Sequence, residues 1–116
     1  MAFGDILGVG TTEGTSGSSP TVTLTTTGAA KIVVVATINA ASVNSVSGGG
    51  LTWTRIARSS TGANDNHVTA WRADASGALS STVITLTLNT SATYCTLVAF
   101  GIEGCTTGTS DYEGLS

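Results

Sequence analysis

The run Lys31-Ile32-Val33-Val34-Val35-Ala36-Thr37-Ile38 decides the fold of this 116-residue chain. It is apolar at odd and even positions alike and rich in β-branched side chains. Such side chains crowd the preceding turn of a helix but pack well on a pleated strand, and no apolar stripe at a period of 3.6 is present. The run therefore predicts a strand at the centre of a sheet, covered on both faces. Thr93–Ile102 (TYCTLVAFGI) has the same character and predicts a second. Val34 and Val98 are accordingly expected in the core, with Trp53 nearby.

Outward from these two runs the period is two. Thr21-Val22-Thr23-Leu24-Thr25 alternates hydroxyl and apolar, the mark of a strand with one wet face. Ser42–Ser47 is a weaker strand closed by Gly48-Gly49-Gly50, and Leu51–Arg58 (LTWTRIAR) follows. A turn cluster, Ser59–Asn66, leads into His67–Ala73 (HVTAWRA) and a loop around Gly77. Ser81–Asn89 places Ile84, Leu86 and Leu88 on one face and Val83, Thr85 and Thr87 on the other. This makes seven strands, or eight if the N-terminal segment adds one. Short strands at such spacing, parted by Gly, Asn and Ser turns, predict an all-β fold, a two-sheet antiparallel β-sandwich of jelly-roll or immunoglobulin-like type.

The first twenty residues read differently. Phe3, Ile6, Leu7 and Val9 are apolar, whereas Thr11–Ser19 is a Gly/Ser/Thr run ending at Pro20. The run has the composition of a flexible tether. Residues 1–20 are thus expected to be an arm whose apolar residues bind a partner, with the sandwich spanning 21–116. The competing reading has Phe3–Val9 closing an edge of the domain's own sheet.

Composition narrows the function more by exclusion than by indication. Only 9% of residues are charged, the net charge is −3, and 41% are hydrophobic. A chain this apolar is not of the disordered class. Lys31, Arg55, Arg58 and Arg72 are the only Lys or Arg residues, fewer than the roughly six phosphate contacts that sustain DNA binding, so no nucleic-acid partner is expected. The longest uninterrupted apolar run, Ile32–Ala36, is far short of the roughly 20 residues of a membrane helix, and no membrane partner is expected. The N-terminal residues lack the basic and apolar regions of a signal peptide, so no export by that route is expected.

Candidate chemistry is sparse. The lone His67 lies two residues after Asp65, with no G-x-S-x-G turn to present a nucleophile, and reads as a loop-to-strand polar residue. Asn64-Asp65-Asn66 suits a turn better than calcium, which takes six to eight oxygens (roughly) with several carboxylates. The carboxylates Asp5, Glu13, Asp65, Asp74, Glu103, Asp111 and Glu113 all read as lying in loops or termini, so no facing pair is expected. No catalytic residue, cofactor or metal is predicted. Trp53 and Trp71 are read first as core; the alternative is a ligand platform of Trp53, Trp71 and Tyr112 for flat sugar faces.

The segments Leu51-Thr52-Trp53-Thr54, Ala70-Trp71-Arg72-Ala73, Thr82-Val83-Ile84-Thr85-Leu86 and Leu97-Val98-Ala99-Phe100-Gly101-Ile102, in that order, resemble a class of β-sandwich modules found in phage virion proteins and bacterial surface proteins. Gly48–Gly50 stands where such modules often carry an acidic residue before the "TWT" strand. The resemblance implies a non-enzymatic structural protein of a virion, assembled in the host cytoplasm. A capsid decoration or cement protein comes first, present in many copies and bound to the major capsid protein or other virion proteins. A tail or fibre component is the near alternative, and a carbohydrate-binding surface module the other.

Cys95 and Cys105 stand ten residues apart, roughly 33 Å along an extended strand, and would pair only if the chain turned back near Gly101 or Gly104. With no export signal, both are expected as thiols. Titration in denaturant without reductant should find two thiols per chain; finding none would establish a bridge.

Overall fold

The computed structural model describes residues 6–39, 41–59 and 66–103. Among them are eight strands: β1 (Ile6–Gly17), β2 (Thr21–Leu24), β3 (Ala30–Asn39), β4 (Val43–Ser47), β5 (Thr54–Arg58), β6 (Asn66–Ala75), β7 (Thr82–Leu88) and β8 (Ala92–Ile102). They form two antiparallel sheets, one of five strands in the order β1-β8-β3-β6-β5 and one of three in the order β2-β7-β4. The fold is a two-sheet β-sandwich. Pairing is nested, with β1 on β8, β2 on β7 and β3 on β6. That nesting is jelly-roll connectivity rather than the immunoglobulin order.

The core lies between the sheets. From β3 it receives Ile32, Val34, Ala36 and Ile38, and from β8 Cys95, Leu97 and Ala99; the smaller sheet contributes Val22, Leu24, Ile84, Leu86 and Leu88. The faces assigned to β7 from sequence match this burial. β3 does lie at the centre, between β8 and β6. Its neighbour β8 was expected to be covered on both faces but is buried on one. Cys95, Leu97, Ala99 and Gly101 point inward, while Val98 and Phe100 lie half-exposed on the other side. Val98 is therefore not a core residue. A two-layer sandwich has only one inner face per strand.

The tether expected over Thr11–Ser19 is also corrected. Through Gly17 that stretch belongs to β1, which pairs with β8 from Ile6 opposite Ile102 to Gly17 opposite Ala92, with three register shifts. Ile6, Leu7 and Val9 are thus part of the domain's own edge strand, and Phe3 lies outside the described residues. Physical fit explains why. A Cβ on Gly8 would stand 1.9 Å from the Thr25 carbonyl oxygen, and one on Gly10 2.0 Å from that of Thr23. Two residues further along, Thr12 donates from Oγ1 to the Thr21 carbonyl at 2.7 Å. Gly8, Gly10 and Thr12 therefore step along β1 against Thr25, Thr23 and Thr21 of the β2 segment. The two sheets meet backbone to backbone at this margin, where no side chain fits.

Leu51–Arg58 also starts later than expected, at Thr54. Leu51 N–H donates to the Gly48 carbonyl at 3.2 Å, closing a turn whose inner residues Gly49 and Gly50 both have φ of +66°. Side chains rarely adopt that backbone, so the glycines set the turn and Leu51–Trp53 leads out of it.

The β1–β2 contact yields a direct test. Gly10→Ala should destabilise the fold by about 3 kcal/mol or more, because the obstacle is backbone and cannot rotate away. Gly77→Ala, where a Cβ meets nothing within 4 Å, should shift the melting temperature little. Equal melting of the two variants would refute the close approach.

Candidate interaction surface

Because successive side chains alternate faces, the register of the larger sheet fixes its outer surface. One row runs Val9–Phe100–Val33–Arg72–Thr54 across all five strands. The next runs Thr11–Val98–Val35–Ala70–Ala57. A third, Ile6–Ile102–Lys31–Asp74, spans four strands. The first two rows are dominated by apolar side chains. Val9 is 61% exposed, Ile6 55% and Val68 46%, while Phe100, Val98, Val35 and Ala70 are half-buried by their neighbours. In the described residues the opposite sheet shows one exposed large apolar side chain on its outer face, Val83.

The charge within this surface is neutralised locally. Lys31 Nζ donates to Asp74 Oδ1 at 2.6 Å, and the lysine side chain is almost wholly buried while the carboxylate is about a third exposed. An ammonium removed from water needs such a partner, and removing the carboxylate would leave it costly. This pair also corrects the sequence reading of the acidic residues, since Asp74 lies within β6 and Glu13 within β1. Glu103 follows β8 directly; Asp5, Asp65, Asp111 and Glu113 lie outside the described residues. Exposed charge gathers at the sheet's margins instead: Glu13 on β1, and Arg55 and Arg58 on β5.

β5 is the other edge of the larger sheet, and all five of its residues are exposed. Its Arg55 guanidinium sits 5.9 Å from the centroid of the Trp71 ring, a cation–π contact that caps the core's open end. The charged residues and the register shift between Arg55 and Ala57 blunt this edge against further strand pairing.

Both tryptophans pack toward the core, to different depths. Trp71 is 7% exposed on the inner face of β6, and its Nε1 donates to Thr69 Oγ1 at 3.0 Å. Trp53 packs half-buried against the core and donates from Nε1 to the Gly48 carbonyl at 3.3 Å. Trp71 belongs to the core and Trp53 packs on it from outside, each with a satisfied indole N–H, and Tyr112 lies outside the described residues. Among the described residues the exposed aromatic is Tyr94, 55% accessible, beside a shallow groove of about 370 Å³ lined by Thr37, Ile38, Asn39 and Val68. Asn39 Oδ1 there already accepts from the Thr93 hydroxyl.

His67 lies on β6 opposite Ile38 at the rim of the core. Asn64 and Asp65 lie outside the described residues, and Asn66 begins β6. Among the described residues no three His, Cys, Asp or Glu side chains cluster as a metal would require. Cys95 is a free, fully buried thiol on β8, its pKa pushed up by desolvation. Cys105 lies outside the described residues. No protein-family model, curated protein or solved structure matches the chain.

Sequence reasoning missed the outer surface, although its signal was present. The apolar residues at Val33 and Val35 were credited to a second buried face; Val33 is buried there at 8% exposure, whereas Val35 is half-exposed. The tryptophan assignment is checked by fluorescence of a Trp53→Phe variant, which leaves Trp71 alone. Its emission should be that of a shielded indole, weakly quenched by acrylamide; solvent-like emission with strong quenching would return Trp71 to the surface.

Proposed function

We propose that this chain is a non-enzymatic structural protein of a phage particle, a capsid decoration or cement protein that binds across capsid subunits. The observation that carries the reading is the outer face of the five-stranded sheet, a broad neutral surface with an apolar centre. A surface of this kind contributes by the area it buries. The nested jelly-roll supports it, being an architecture that serves capsid domains, as well as lectins. The resemblance over Leu51–Ile102 supports it too. Sparse charge suits a protein held in many copies at high local concentration, where repulsion between identical neighbours would accumulate.

The reading is tested on particles purified from the host that carries the gene. An antibody against the chain should label the shell in immunogold micrographs, and mass spectrometry should find it in many copies. Label on the tail would select the tail or fibre alternative and refute the cement role. Particles lacking the chain, together with affinity of the pure protein for glycans, would replace the proposal with a carbohydrate-binding module.

A further inference from the structure

We propose that one end of the larger sheet's outer face is a carbohydrate site, in which a pyranose ring lies on Tyr94 beside Thr37, Asn39 and Val68. The inference goes beyond the proposed function and does not rest on it, because the groove lies past the apolar rows that carry that reading.

The face changes character along its strands. Beyond Val98–Val35–Ala70 the next row is Thr96–Thr37–Val68, and after it Tyr94 stands opposite Asn39. Hydroxyl and amide side chains thus replace the apolar centre, with one aromatic among them. Tyr94 is 55% exposed and Val68 46%, and with Thr37, Ile38 and Asn39 they line the groove of about 370 Å³. Ligand pockets run from roughly 300 to 1,000 Å³, so this one takes a small ligand. The ring in it is also held in place. β1 bulges here, advancing from Thr12 to Thr15 while β8 moves only from Leu97 to Cys95. Gly14 in the bulge has φ of +67°, and a Cβ there would stand 3.7 Å from Tyr94 Cε2, so backbone borders one edge of the ring. On the other side Asn39 Oδ1 accepts from the Thr93 hydroxyl, which fixes its amide. Side chains positioned in advance lose little freedom on binding.

Charge and polarity choose the ligand. The residues lining the groove are uncharged, and Glu13 is exposed on the bulge of β1. Of the cations on this face among the described residues, Lys31 is matched by Asp74. Arg72 is level with Val33, four residues along β3 from Thr37 and so roughly 13 Å away. A ligand bearing phosphate therefore meets no cation in the groove. A wholly apolar ligand would strip water from the Thr37 hydroxyl and the Asn39 amide and give nothing back. A pyranose answers both conditions. Its C–H face is apolar and lies flat on an aromatic ring, and its equatorial hydroxyls bond to hydroxyl and amide groups at the rim.

The test is NMR of the purified, nitrogen-labelled chain with cellobiose, lactose, maltose and N,N′-diacetylchitobiose, each raised to about 20 mM so that millimolar affinity is saturated. At least one disaccharide should bind saturably and move the backbone amide signals of Thr37, Asn39, Val68 and Tyr94 most. Tyr94→Ala should weaken that binding about tenfold or more, whereas Tyr94→Phe, which keeps the ring, should retain it. Thr37→Val, which keeps the shape and removes the hydroxyl, should weaken it severalfold. Val98→Lys, in the apolar centre, should leave it unchanged. Cooperative melting near the wild-type temperature shows that each variant is folded. No saturable shift with any of the disaccharides, shifts centred elsewhere, or binding that survives Tyr94→Ala overturns the site. Purified particles separate this inference from the proposed function. The Tyr94→Ala chain should still join them; if it is lost while the wild type is retained, the groove belongs to the shell contact and the sugar site is wrong. Wild-type chain that binds a disaccharide at Tyr94 but is absent from particles sinks the proposed function alone.

Discussion

Five strands must bury one face against three, and the rest of the structure follows from how that mismatch is met. The smaller sheet covers β3 and β8 fully, which is where burial reaches zero exposure at Ile32, Val34, Leu97 and Ala99. On one side the larger sheet closes the gap by bringing β1 down onto β2, with glycine at the two positions where any Cβ would strike a carbonyl. On the other side no strand is available. There the chain fills the space with its two largest side chains, Trp71 and Trp53, and caps the first with Arg55. The two margins of one sheet are thus solved by opposite means, removal of side chains and enlargement of them.

That contrast explains what could be read in the sequence. β3 and β7 announce themselves because their inward positions are large and apolar, so a period of two is visible against polar neighbours. β1 has the same period with glycine in the inward places: Gly8 and Gly10 alternate with Val9 and Thr11. Glycine carries no hydrophobic signal, and the stretch therefore resembles a linker although every second residue is placed by a close contact. The register shifts in β1 add to the concealment by breaking the alternation near Glu13. β5 was displaced for a related reason. Leu51 and Trp53 are apolar because they pack on the core from a connecting segment, and an apolar residue in a connection looks like the start of a strand.

The candidate surface was legible in another sense, since the residues that make it were noticed and given the wrong cause. A parallel sheet between two layers of helix has two buried faces, and a strand apolar on both sides is ordinary there. In a sandwich of two sheets the second face looks outward. An apolar second face then has no folding role, yet it carries the cost of exposing apolar area to water. Val35, Val98 and Phe100 are half-exposed in the free chain for this reason.

The distribution of charge carries the same logic to the molecule as a whole. With few charged residues to place, the chain puts none uncompensated at the centre of the larger sheet's outer face. It uses one lysine there only with an aspartate from the adjacent strand at 2.6 Å. Hydroxyl side chains occupy most outward positions of the smaller sheet, where Thr21, Thr23, Thr85 and Thr87 alternate with buried aliphatics. The two outer faces are therefore chemically distinct: one is a wet threonine surface broken by Val83, and the other is an apolar field bordered by charge. A monomer that met only water would have no reason to differ so much between its two sides. A protein that turns one side to a partner and the other to solvent requires that difference.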